Sequence, residues 1–207
     1  MELAVDRRST GLAVLADRVA PLALARERTL PVPEAFAEIF PEGGLVRGHV
    51  IACTGPAATS LALAVVAPAV AAGSWLAVID VPTIGLDAAS EFGVALERVV
   101  AVRTEGARWA DVVAAAADGF DLLLARIPDD VSPAVMRKVA TRLRQRDATM
   151  IVLGGALSCD GVIDSDSVEW TGVGDGHGHL QQRRLEVEAS GRRFHGRRTC
   201  RLALPSS

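Results

Sequence analysis

From Val50 to Ile79 the chain carries no charged residue, and Leu61–Ile79 is almost entirely apolar. A run of that length has two physical solutions. One is a membrane-spanning helix. The other is a strand–loop–helix–strand unit of a parallel sheet, whose strands are covered on both faces and need no polar side chains. Gly55-Pro56, Pro68 and Gly73-Ser74 punctuate the run, and a single spanning helix has no use for such breaks. The expectation is a segment buried in protein, with no membrane attachment.

The flanking pattern agrees with the buried unit. Val50–Cys53 reads as a strand, Thr59–Ala72 as a helix with a kink at Pro68, and Leu76–Ile79 as a strand. Asp87–Phe92 follows as a short helix closed by Gly93, then a strand over Arg98–Val102 and a helix over Arg108–Ala117 that ends at Gly119. Leu122–Ala125, Pro133–Gln145 and Thr149–Leu153 continue as strand, amphipathic helix and strand. Strands alternating with helices of this length build a parallel sheet with right-handed crossovers. After Gly154-Gly155 the pattern changes: Val168–Thr171, Arg184–Ala189 and Cys200–Leu204 read as strands joined by turns, an antiparallel extension at one sheet edge.

Ahead of the sheet, residues 1–28 are expected to form a separate helical arm, leaving 29–207 as the main domain. Val5, Leu12, Leu15, Val19 and Leu22 make one apolar stripe, and Pro21 kinks or ends the helix. The stripe either packs on its own domain or docks on another subunit. Pro33–Phe40 predicts a short helix with Phe36, Ile39 and Phe40 inward, closed by a turn at Gly43-Gly44.

Bulk properties narrow the function classes. The net charge of −3 does not advertise nucleic acid binding by the molecule as a whole. Lys138 is the only lysine. Cys53, Cys159 and Cys200 are scattered, giving neither a disulfide framework nor a zinc pair, which points to a reducing cytoplasm. The N-terminal MELAVDRRST carries acidic residues and no apolar core, so no signal peptide is expected.

Chemistry in such a sheet is sought in the loop after the first strand. Here the segment reads CTGPAATSLALAVV, with the strand, glycine turn and helix start of a phosphate loop. A working loop, G-x-x-x-x-G-K-[ST], needs a lysine for the β/γ-phosphates and a hydroxyl for Mg²⁺. Counting from Gly55 puts Ser60, Leu61 and Ala62 in the Gly, Lys and Ser/Thr places. Aligning Thr59-Ser60 with the hydroxyl end puts Ala58 in the lysine place. Neither register supplies a cation. The strand FDLLLARIP ends in Arg126 where an acid would serve the metal, and MIVLGG ends in Gly154-Gly155 with no polar side chain to sense a γ-phosphate. The loop at Gly55, Thr59 and Ser60 is thus read as degenerate, with no cofactor, no metal and no catalytic residue expected.

On GGLVRGHVIACTGP, IDVPTIGLDAASEFGVALERVVAV, DLLLARIP, SVEWTG and RRLEVEASGRR, the chain resembles the RecA core. Within that group, GGLVRG, TSLALA and AGSWLAVI make it similar to the actinobacterial ImuA-type accessory proteins. The resemblance implies an α/β, RecA-like fold with a mostly parallel sheet. Where RecA places a catalytic glutamate after the second strand, this chain has Asp80-Val81-Pro82-Thr83. Where RecA has a DNA-gripping loop, the interval from Gly155 to Val168 reads as a short acidic loop carrying Asp160, Asp164 and Asp166. The implied role is that of a non-catalytic adaptor in SOS-induced translesion synthesis. It would bind ImuB, the inactive Y-family polymerase relative, and through it an error-prone DnaE-type polymerase and the sliding clamp. The implied location is the cytoplasm, at the nucleoid during DNA damage. By analogy with the RecA N-terminal helix, Leu12, Leu15, Val19 and Leu22 would contact a partner or a second copy.

Two further clusters carry charged or metal-ligating side chains. GDGHGH offers His177, His179 and Asp175 as metal ligands, but a glycine-rich hairpin explains the same residues. Arg192, Arg193, Arg197 and Arg198 flank a turn, either as a solvated hairpin or as a patch for phosphates or an acidic partner. Trp75, Trp109 and Trp170 read as packing residues, and His49 and His195 as isolated. Two rivals to the adaptor follow. One is a divergent ATPase acting in recombination or cell division, with Arg126 or Arg47 in place of the lysine. The other is a DNA-binding module built on the C-terminal arginines.

Overall fold

The computed structural model describes residues 28–105, 108–155, 158–171, 182–194 and 196–204. In chain order the elements are β1 (Thr29–Leu30), α1 (Glu34–Ala37), β2 (Leu45–Val46), β3 (Val50–Thr54), α2 (Ala58–Ala71), β4 (Leu76–Ile79) and α3 (Leu86–Glu91). They continue with β5 (Val99–Val102), α4 (Trp109–Ala116), β6 (Leu122–Arg126), α5 (Pro133–Arg146), β7 (Thr149–Leu153), β8 (Gly161–Thr171), β9 (Gln182–Ser190) and β10 (Arg198–Leu204). The main sheet has eight strands in the order β10-β9-β8-β3-β7-β6-β4-β5. From β8 to β5 neighbouring strands run parallel, and β9 and β10 are antiparallel to what precedes them.

The uncharged run is explained by double coverage. On β3, Ile51 and Cys53 face a core built with α1 and α2, while Val50 faces the opposite core beneath α4 and α5. α2 is buried on nearly every side, from Leu61 through Ala67 and again at Ala69 and Val70, so it has no solvent stripe to fill with charge. Its 14 residues reach roughly 21 Å, and no described helix is long and apolar enough to cross a membrane. α5 is the amphipathic contrast. Ser132 caps its start by accepting the Val135 N–H, Pro133 fills the first turn, and Met136, Val139, Ala140 and Leu143 face inward. Asp147 closes it in the left-handed region at φ 53°.

The structure departs from the sequence reading in three places. The pair β1–β2 forms a small antiparallel ribbon, which two-residue strands are too short to signal. The helix near Pro33 stops at Ala37, and Ile39 and Phe40 are buried from the turn that follows. The acidic loop between Gly155 and Val168 is instead mostly strand. β8 starts at Gly161, pairs in parallel with β3 from Ile51↔Gly161 to Thr54↔Asp164, and pairs antiparallel with β9. The polar letters misled because Asp160, Asp164 and Ser165 are consumed by bonds to β3 and its loop. Residues 1–27 of the N-terminal arm and GDGHGH lie outside the described residues.

Candidate functional site

At the C-terminal end of β3 the chain makes the turn that a phosphate loop requires. Gly55 sits at φ +84°, a conformation that L side chains rarely tolerate. Ala57 then leads into α2 without a side-chain cap. In a nucleotide-binding sheet the free N–H groups of this turn would meet phosphate. Here one of them is already taken. The Ala57 N–H donates to Ser165 Oγ at 3.0 Å, and that hydroxyl donates to the Thr54 carbonyl at 3.1 Å. Ser165 is fully buried. Its backbone closes on the turn so tightly that a Cβ at Gly55 would lie 2.3 Å from the Ser165 carbonyl oxygen. β8 therefore plugs the inner face of the loop. One residue earlier, the Thr54 hydroxyl donates to the Asp164 carboxylate, which places a negative group beside the place a phosphate would enter.

The other strand ends are equally unlike a nucleotide site. Arg126 terminates β6 and is exposed. β7 ends at Leu153, and the Gly154 N–H that follows is spent on the Cys53 carbonyl at 3.1 Å. After β4, Asp80 adopts φ 52° and braces the chain beyond β5. Its carboxylate accepts the Thr104 N–H at 3.0 Å and the Thr104 hydroxyl at 2.7 Å. The segment that aligns with a catalytic glutamate is thus a structural clasp. Arg47 is ruled out as a substitute lysine for the loop. It precedes β3, pairs with Asp121 at 3.1 Å, and is separated from the Gly55 turn by the strand's five residues, roughly 16 Å.

Asp160 shows how the opposite end of the sheet is assembled. Its Oδ2 accepts the Val50 N–H at 3.0 Å, and its own N–H donates to the Val50 carbonyl at 2.8 Å. Over this junction folds the β9–β10 turn, anchored by the Arg193 N–H to the Asp160 carbonyl. Phe194 lies so close to Gly161 that any Cβ there would come within 1.9 Å of the ring. The turn carries Arg192, Arg193 and Arg198 into one groove at the N-terminal end of β3. Arg197 does not line it and pairs with Glu188 on β9. Sequence reasoning grouped the four; three share the groove.

Thr59 and Ser60 lie in the first turn of α2, both partly buried. Leu12, Leu15, Val19, Leu22, His177, His179 and His195 fall outside the described residues. Trp109 is buried among α4 and α5 packing residues, whereas Trp75 is exposed with the Arg98 guanidinium 5.7 Å from its ring centre. Among the described residues no group of three or more His, Cys, Asp or Glu side chains has metal-binding geometry. Ser165 goes unsignalled and Asp160 reads only as an acidic loop residue because neither belongs to a motif; the three-dimensional pairing of β8 with β3 brings them to the ends of β3.

Three similarities place the chain among known proteins. A family model described as MT3502 N-terminal domain matches residues 38–158. An uncharacterized protein, Rv3395c, of Mycobacterium tuberculosis (strain ATCC 25618 / H37Rv) is 34% identical over 137 residues, covering 65% of this chain and 66% of that protein. The chain thus matches just under two thirds of that relative's length. The RadB recombinase crystal structure superposes with a TM-score of 0.54 at 13% identity, over 80% of this chain and 92% of that one. At that identity the likeness shows the fold, which is RecA-like.

Proposed function

The chain belongs to the MT3502 N-terminal domain family, and from that premise we propose that it works as a non-catalytic RecA-like adaptor of the ImuA type. In this reading it binds ImuB during damage-induced translesion synthesis and, through ImuB, serves a DnaE-type polymerase at the sliding clamp. The observation that carries the proposal is Ser165, whose hydroxyl occupies the loop N–H that a phosphate would need. A triphosphate would have to displace a buried side chain, approach the Asp164 carboxylate and find no lysine on the loop. Electrostatic stabilisation of phosphoryl transfer needs the reverse arrangement, cations and a metal seat converging on the γ-phosphate. What remains is a rigid parallel sheet with a large surface, suited to holding other proteins.

The test is co-expression of the full chain with ImuB, followed by size-exclusion chromatography and an ATP turnover assay on the complex. A stable complex with no turnover above background supports the adaptor. Free elution of both proteins, or turnover that disappears on Arg126→Ala, supports the divergent-ATPase reading, which retains one feature in its favour: Arg126 is exposed at the end of β6.

A further inference from the structure

The groove at the N-terminal end of the parallel strands is the strongest concentration of charge among the described residues. It has a volume of about 680 Å³, and six arginines line it: Arg28, Arg47, Arg144, Arg192, Arg193 and Arg198. Only two carboxylates, Glu42 and Asp147, share the lining. Three of the arginines are committed: Arg47 to Asp121, Arg198 to the Glu38 carbonyl, and Arg28 weakly to Glu42 at 3.9 Å. Arg144, Arg192 and Arg193 have no acidic partner among the described residues, and all three are exposed. They come from two separate segments, the last turn of α5 and the β9–β10 turn. Folding therefore converges unpaired guanidinium groups on one place in a molecule whose net charge is −3.

The floor between them is apolar. Phe40 and Phe194 pack there at a tilt of 50° with ring centres 5.5 Å apart, beside Pro41 and Ile51, and both rings are buried. We propose that this groove docks an acidic segment of a partner protein, with its carboxylates on Arg144, Arg192 and Arg193. Guanidinium forks match carboxylates bidentately, and a cluster of them on one face selects an acidic partner. The inference rests on the adaptor reading and names the surface through which it works.

Two other occupants fit less well. A nucleic acid strand binds by stacking its bases on exposed aromatic faces, yet Phe40 and Phe194 are only 3% and 1% exposed. A long polyanion would also feel the negative charge of the whole molecule. The chain's own residues 1–27 carry as many arginines as carboxylates, so they bring no negative charge to match the groove.

The test is selection of random twelve-residue peptides on the immobilised full chain, then titration of the labelled consensus peptide. The comparison proteins are the triple variant Arg144→Glu, Arg192→Glu, Arg193→Glu and the control Arg197→Glu, which reverses a charge outside the groove. Circular dichroism establishes that each variant is folded. The expected consensus is rich in Asp and Glu. Its affinity should fall about tenfold to a hundredfold in the triple variant, stay within about twofold in the control, and weaken with salt. A non-acidic consensus, or one that binds wild type and triple variant alike, overturns the inference. So does an oligothymidylate that outcompetes the peptide for the same arginines. Failure here with Mg-ATP still unbound removes the groove and leaves the adaptor standing; Mg-ATP bound at the Gly55 turn removes the adaptor, whatever the peptides do.

Discussion

Ser165 is a small residue with a large structural burden, because its one hydroxyl satisfies both the Ala57 N–H and the Thr54 carbonyl inside a closed core. Ser165→Ala leaves the buried Ala57 N–H without its partner and removes the donor to the Thr54 carbonyl, and urea denaturation should show a loss of about 1–3 kcal/mol. The substitution adds no cation, so it should not create nucleotide binding. His49 reports on the groove. Burial lowers its pKa below the ordinary 6.5; Asp160 and Glu42 pull it upward, and Arg193 and Arg144 push it further down. The neutral ring is the form the fold favours, so its contribution is full above pH 6.5 and is lost as pH falls through the lower folded value. An NMR titration should place the midpoint below 6.5 and move it upward in Arg193→Gln; a midpoint above 6.5 would deny the burial. Burial also pushes the Cys159 and Cys200 thiols up to about 11 from an ordinary 9.0, so their share of stability is full below pH 9.0 and fades as pH climbs toward 11. Thermal melts should therefore begin to fall above pH 9.0 sooner in the wild type than in a Cys159→Ala, Cys200→Ala variant.

At the scale of elements, the parallel core was legible because its strands are short, apolar and separated by helices with clear ends. Leu76–Ile79 and Thr149–Leu153 fall where their sequences put them. The failure at β8 has the opposite cause. Asp164 and Ser165 look like loop residues, and nothing local reveals that each pairs with an atom more than a hundred positions away. The arginine turn was half legible: adjacency grouped Arg192, Arg193, Arg197 and Arg198, but only the fold adds Arg144 and turns Arg197 toward Glu188. Gly161 is the hinge of that arrangement, since Phe194 packs where its Cβ would stand. Gly161→Ala should expel the ring, cost about 1–3 kcal/mol by overpacking, and loosen the β9–β10 turn. Hydrogen exchange should then show faster exchange at the Arg193 and Phe194 amides, and unchanged rates there would mean the turn is held by other contacts.

Across the whole molecule, the two ends of the sheet are built differently. The C-terminal end keeps the outline of a nucleotide site and fills it with Ser165, an adjacent carboxylate and a glycine turn that leaves no room. The N-terminal end gathers arginines, three of which have no acidic partner among the described residues. The proposed adaptor role rests on this contrast between a filled end and a charged one. Isothermal titration of the full chain with Mg-ATP tests this most directly. The account predicts no saturable heat into the millimolar range, and the same flat trace for Gly55→Ala. Saturation at one nucleotide per chain, lost on Gly55→Ala in a variant that stays folded, would contradict it.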